Sequence, residues 1–287
     1  MSLTEFRNGI ADFMKALELC KTQERGDAQF KYKVNLNLGI NLRRVGEAAE
    51  SRKYLQEAAN TQKPQALNNL GLTLYELGEW EEAVVQYQKA IQAEEAAVGK
   101  PGEKYPNTPD LKPHEQPPMK EYLSLYYNNK GLANYHASNY DLAEEDYKLA
   151  IKAVNGTNAE NFFNYGNVHL NKNEFEQAHE KFDTAIAIDP ASAKLYHAKG
   201  LAFQCQADEL AKRETRIMRE EDDLVQEAIV YFEKALNQDS SFISSMFHLG
   251  LMFRRTGRFD EARDMFTKVM EQLPNDKTVY IERGLVY

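Results

Sequence analysis

Glycine recurs along this chain at Gly39, Gly71, Gly131, Gly166, Gly200, Gly250 and Gly284, and the residues that follow it recur with it. Twelve positions after four of these glycines stands an alanine: Ala83, Ala143, Ala178 and Ala262. Four positions further comes an aromatic: Tyr87, Tyr147, Phe182 and Phe266. Three beyond that the residue is small in Ala90, Ala150 and Ala185, with Val269 the departure. A fifth copy keeps the later part as Ala228, Phe232 and Ala235, and the first is weaker, with Ser51, Leu55 and Ala58. Glycine and alanine let the two helices of a hairpin approach closely. An aromatic four residues after the alanine lies on the same helix face and fills the gap between hairpins. Breakers stand where loops belong: Gly78 and Gly257 between the helices of their units, Pro190 and Pro274 after the second helices.

The glycine interval is 34 or 35 residues from 131 to 166, from 166 to 200 and from 250 to 284. The clearest copy runs Phe162, Tyr165, Gly166, Ala178, Phe182, Ala185, Pro190. The next runs Leu67, Leu70, Gly71, Leu74, Gly78, Trp80, Ala83, Tyr87, Ala90. These motifs resemble the tetratricopeptide repeat family, whose period is about 34 residues. The resemblance covers residues 32–287 with two interruptions. It implies an all-α fold, a right-handed α-solenoid of stacked antiparallel helix pairs. The expected organisation is an N-terminal helix or half repeat over 1–31, where Gly9, Phe13 and Ala16 have the spacing of a second helix, then units 1 and 2 over 32–97. A proline-rich insertion follows over 98–123, and units 3–6 with a truncated seventh fill 124–287. The last eleven residues, KTVYIERGLVY, read as a first helix without its partner. That leaves Tyr280, Leu285 and Val286 short of packing and implies a fragment of a longer repeat protein.

Two segments break the period. Six of the nine prolines lie between Pro101 and Pro118. Proline removes backbone donors and forbids a regular helix, so a loop is expected there. It is either a tolerated surface insertion or a contact for a partner. Between Gly200 and Ala228 the chain runs 28 residues instead of twelve, without proline or glycine and rich in helix formers. Both helices of this unit should be longer, giving a projecting hairpin over 204–227. Leu210, Ile217, Met218 and Leu224 would seal its arms, and its charges would form a solvated face or a second contact surface.

Composition narrows the function. The 287 residues are 43% hydrophobic and 28% charged. The mean hydropathy of -0.64 suits an elongated stack better than one compact core. A net charge of -9 and a pI near 5.3 weigh against nucleic-acid or anionic-membrane binding. Two cysteines, Cys20 and Cys205, make no disulfide framework and fit a reducing compartment. No apolar run has membrane-spanning length, so no membrane insertion is expected. The expected location is the cytoplasm, with cytoskeletal or ciliary association as an option. The sequon at Asn155, Gly156 and Thr157 reads as a turn. No HExxH, Cys-x-x-Cys or phosphate-loop motif occurs. Cys205 and His197 share one predicted helix with no orienting third group. No enzyme, metal or cofactor is expected.

The candidate site is therefore a surface for protein. In the resembled family the first helices line a concave groove that commonly holds an extended peptide. Two residues before the motif glycine stand Asn37, Asn69, Asn129 and Asn164, giving way to Ala198 and His248 in the fifth and sixth units. The pattern resembles the asparagine ladders of peptide-binding members. A carboxamide can pair with both the N–H and the C=O of a peptide without reading its side chains. Leu36 and Ile40, Asn68 and Leu72, Asn128 and Leu132, Phe163 and Asn167 flank the ladder as shallow pockets. The competing reading is that the asparagines tie loops or cap carbonyls. The lysine required by the family's chaperone-type carboxylate clamp is missing, since Phe163 stands where Asn167 would need it. Arg43, Arg44, Arg254, Arg255 and Arg258 would either grip acidic stretches of a partner or remain solvated turn residues. The leading function is a scaffold binding an extended peptide of a partner protein. The alternatives are a structural component of a multiprotein assembly and a substrate-recruiting domain of a longer enzyme.

Overall fold

The computed structural model describes residues 3–22, 28–98, 119–212 and 218–287. Among the described residues all regular structure is α-helical, in two compact units.

Unit 1 spans Met1–Gly156. It holds α1 (Leu3–Thr22), α2 (Ala28–Arg44), α3 (Ala48–Ala59), α4 (Pro64–Glu76), α5 (Trp80–Val98), α6 (Met119–His136) and α7 (Tyr140–Ala153). Helices α2–α3, α4–α5 and α6–α7 pair as hairpins. The first helices α2, α4 and α6 also touch one another in sequence, so they lie side by side. The hairpin starting at α6 begins at Met119, so the last five residues of the segment read as a proline-rich loop are helical. The rest of that loop lies outside the described residues.

Unit 2 spans Thr157–Tyr287. It holds α8 (Ala159–Asn171), α9 (Phe175–Ile188), α10 (Ala193–Ala211), α11 (Met218–Gln238), α12 (Ile243–Arg255), α13 (Phe259–Gln272) and α14 (Lys277–Gly284). Helices α10 and α11 have 19 and 21 residues against 13 and 14 in the preceding pair, α8 and α9. The six and seven extra residues add about 9 and 10 Å of helix. The sealing of this hairpin differs from expectation. Within the projecting part over 204–227, Ala207, Glu221 and Val225 are buried, while Leu210 and Leu224 remain half-exposed. Ile217 lies outside the described residues, as does the side chain of Met218.

The repeat motif has a direct steric meaning. A Cβ built on Gly166 would come within 2.6 Å of Cε1 of Phe182, and one on Gly200 within 2.7 Å of Cε1 of Phe232. Gly71 faces Tyr87 and Gly250 faces Phe266, each at 2.7 Å, and Gly131 faces Tyr147 at 2.9 Å. In the weak first unit the same place is taken by Leu55 against Gly39. The second-helix ring thus lies flat on the first-helix backbone, and even a methyl group would displace it. These rings and the alanines beside them are fully buried. Ser51, at the alanine position of the first unit, donates its hydroxyl to the Gly39 carbonyl at 2.7 Å, so the polar atom is satisfied within the core. Seven residues past the motif glycine the chain turns with positive φ at Gly46, Gly78 and Gly257. The same turn is made by Ser138 (φ 63°) and Asn173 (φ 57°), a left-handed conformation that costs any side chain energy. Asn155 and Gly156 also turn with positive φ, as read from the sequence.

At the last helix Val279 and Val286 are buried, so Val286 is packed where the sequence reading left it short of packing. Tyr280, Ile281, Leu285 and Tyr287 are exposed. A Cβ on Gly284 would meet nothing within 4 Å.

Candidate functional site

The asparagines stand at one repeat position of four first helices, three in unit 1 and one in unit 2, in different environments. Asn37 on α2 is exposed and donates Nδ2–H to the Lys33 carbonyl at 2.8 Å. Asn69 on α4 is half-buried and donates in the same way to the Gln65 carbonyl at 2.7 Å. Each bond runs four residues back along the helix and fixes the carboxamide. The Oδ1 acceptor and the second N–H stay available by the group's own inventory. Asn129 on α6 is buried and donates to Oδ1 of Asn68 on α4 at 3.0 Å, stapling the two first helices together. Asn164 on α8 is buried in unit 2. The ladder read from the sequence therefore has two accessible rungs in unit 1 and a structural tie at its third.

The flanking positions follow the same division. Leu36 and Leu72 are half-buried against the core of unit 1, with Ile40, Asn128 and Leu132 half-buried beside the glycine positions. Lys130, next to Asn129, is bound to the buried Asp146 at 2.8 Å, and Asn134 donates to the other oxygen of the same carboxylate at 2.7 Å. Burial pushes the Asp146 carboxyl up against the opposing pull of Lys130. In unit 2, Phe163 carries the Lys194 ammonium 3.9 Å from its ring centroid, and Asn167 is half-buried.

Where the fifth and sixth units lose asparagine, they present half-buried imidazoles. His197 on α10 pairs Nδ1 with Oγ of Ser245 at 2.9 Å, and His248 on α12 pairs Nδ1 with Oε1 of Gln204 at 3.0 Å. Their ring centroids are 5.4 Å apart. Burial pushes the His197 pKa down to about 4, with His248 adding to the effect, and burial also lowers His248. Sequence reading assigned these histidines no role. Their signal was only the break in the asparagine pattern at Ala198 and His248. Cys205 is exposed as a residue, but partial burial of its thiol, assisted by Asp208, raises its pKa. His197 is engaged with Ser245, so no thiolate–imidazole pair forms.

The arginine patches are committed within the fold. Arg255 on α12 bridges Asp208 of α10 at 2.6 Å and the buried Glu221 of α11 at 2.7 Å. Arg254 meets Glu282 at 3.2 Å, Arg258 meets Glu261, and Arg43 meets Glu76 at 2.7 Å. Arg44 lies 5.1 Å from the Phe6 ring centroid. Among the described residues no three His, Cys, Asp or Glu side chains converge as a metal site, and no helix is long and apolar enough to cross a membrane.

Known proteins repeat this architecture. Family models described as tetratricopeptide repeat match residues 64–95, 159–192 and 244–276. The TPR repeat-containing protein MJ1428 of Methanocaldococcus jannaschii is 27% identical over 179 residues, covering 55% of this chain and 31% of that protein. The chain thus spans about a third of the length of that curated relative. Among solved structures, the crystal structure of the APC/C hetero-tetramer Cut9-Hcn1 matches with a TM-score of 0.61 at 15% identity, over 89% of this chain and 42% of that one. The C-terminal part of a TPR repeat-containing protein from Cytophaga hutchinsonii matches with a TM-score of 0.57 at 14% identity, over 96% of each chain. At these identities the structural matches speak to the fold alone.

Proposed function

Because this chain is a tetratricopeptide repeat protein, we propose that it is a protein-interaction scaffold whose first helices in unit 1 hold an extended peptide by its backbone. One observation carries the reading. Asn37 and Asn69 occupy equivalent positions on adjacent first helices, and each is tethered by one hydrogen bond to its own helix with the rest of its amide free to pair. Half-buried Leu36, Ile40, Leu72 and Leu132 flank them as shallow apolar footholds. The ligand is a protein segment. The chain's net charge of -9 makes nucleic acid an unfavourable partner. No catalytic step is assigned to it, and the proposed setting is the cytoplasm, with any cytoskeletal or ciliary association secondary.

The test is to select binders from a random peptide library on the purified chain and to titrate them against the Asn37→Ala/Asn69→Ala double variant. Helicity should be unchanged, and affinity should fall by about tenfold or more, as expected when two backbone hydrogen-bond sites are lost. Unchanged affinity removes the peptide from these helices. A second reading, a structural part of a larger assembly, rests on the projection of α10 and α11 beyond their neighbours and is tested by the surface described next.

A further inference from the structure

The step between a short hairpin and a long one leaves a groove in unit 2. Its wall on one side is the turn and first residues of α9, with Asn173, Phe175 and Glu176. Its other wall is the projecting part of α10 and α11, with Gln206, Glu209 and Leu210 facing Glu220, Asp223, Leu224 and Glu227. The cavity is about 790 Å³, within the range of sites that bury a ligand. It shares no residue with the asparagine positions.

Its chemistry is one-sided. Five carboxylates line it and no basic residue does. Glu209 is paired with Lys212 at 3.1 Å. Glu176, Glu220, Asp223 and Glu227 have no ion-pair partner among the described residues, and all four are exposed. The contrast lies within the same hairpin, where Asp208 and Glu221 are both neutralised by Arg255 on the opposite side. Between the carboxylates run the half-buried Leu210 and Leu224, with the largely buried Phe175 beside them. On α11, Glu220, Asp223, Leu224 and Glu227 stand at i, i+3, i+4 and i+7, one helix face over two turns.

We propose that this groove is a docking site for a cationic amphipathic helix of a partner protein, laid along α11. Its apolar residues cover Leu210, Leu224 and the edge of Phe175, and its lysines or arginines, spaced four apart, meet Asp223 and Glu227 and reach across to Glu176. The pattern is the helix-in-groove mode, with charge setting the register and apolar contact supplying the burial.

The probe is a fluorescein-labelled amphipathic helical peptide of leucine and lysine, titrated by anisotropy at low and at physiological salt. The groove variant is Glu176→Gln/Asp223→Asn/Glu227→Gln. A charge-matched control, Glu50→Gln/Glu81→Gln/Glu82→Gln, removes three exposed carboxylates of unit 1. The groove variant should lose about tenfold in affinity and much of the salt dependence, while the control loses less than about twofold. Replacing Leu224→Ser should weaken binding without changing its salt dependence. Equal losses in groove variant and control, or no binding of the peptide to the unaltered chain, overturn the proposal. The asparagine double variant should bind this probe normally, so failure here and failure of the peptide-groove reading are separable.

Discussion

The α8–α9 and α10–α11 hairpins are neighbours in one unit and share one packing motif, yet they differ in length, in their turns and in the side chains of their first helices. In each, a ring of the second helix lies on a glycine of the first: Phe182 on Gly166, Phe232 on Gly200. The sequence separation is 16 residues in the first and 32 in the second. The first closes in a tight turn through left-handed Asn173, whereas the second runs on and carries the acidic groove. The first carries the buried Asn164, the second the half-buried His197. The lesson is that the glycine–ring contact holds the packed end of a hairpin, and the turn end is free to vary in length and chemistry.

The largest test is the ring itself. Phe182→Ala and Phe232→Ala should each destabilise unit 2 by about 3–5 kcal/mol, read by urea denaturation. Similar values would confirm that hairpin length leaves the contact intact, and a much smaller loss for Phe232 would break the comparison. Acid comes next. His197 is neutral in the fold, with its pKa pushed down to about 4 by burial, against an ordinary histidine value near 6.5. Its stabilisation is complete above about pH 6.5 and is lost as pH falls toward 4, on the order of 3 kcal/mol over that window. Unfolding monitored at pH 7 and pH 4.5 should show this loss, and His197→Gln should diminish it.

The glycines give a smaller effect of opposite sign at two sites. Gly166→Ala should cost about 1–3 kcal/mol because the new methyl meets Phe182. Gly284→Ala, with open space at its Cβ, should be neutral or gain up to about 1 kcal/mol of helix propensity. Smallest of all are the left-handed turns. Ser138→Gly should stabilise unit 1 by a few tenths of a kcal/mol to about 1 kcal/mol. Asn173→Gly should gain less in unit 2, since asparagine tolerates that conformation better than serine. Midpoint shifts in thermal unfolding separate the two.

Much of the fold could be read from residue spacing, because a ring that needs a bare backbone opposite it leaves a glycine and an aromatic at a constant interval. Helix pairing follows from that local requirement, the turns show as glycines at Gly78 and Gly257, and the lengthened hairpin shows as the one interval that grows from 16 to 32 residues. The turn at Ser138 was hidden, since serine does not announce a positive φ, and Asn173 signals one more weakly than the glycines at Gly78 and Gly257. Half of the candidate site was legible. Four asparagines share one repeat position, but position along a helix does not say which neighbour a carboxamide meets. Only packing decided that Asn129 is spent on Asn68 while Asn37 and Asn69 stay accessible. The arginines were undecidable for the same reason: Asp208 and Glu221 stand 47 and 34 residues from Arg255 in the chain, and their capture of it is a tertiary event. Sequence by itself determined the repeating unit, since its steric rule acts between residues at constant spacing. Tertiary structure alone decided which polar groups remain for a partner, since that depends on what each one meets across the stack.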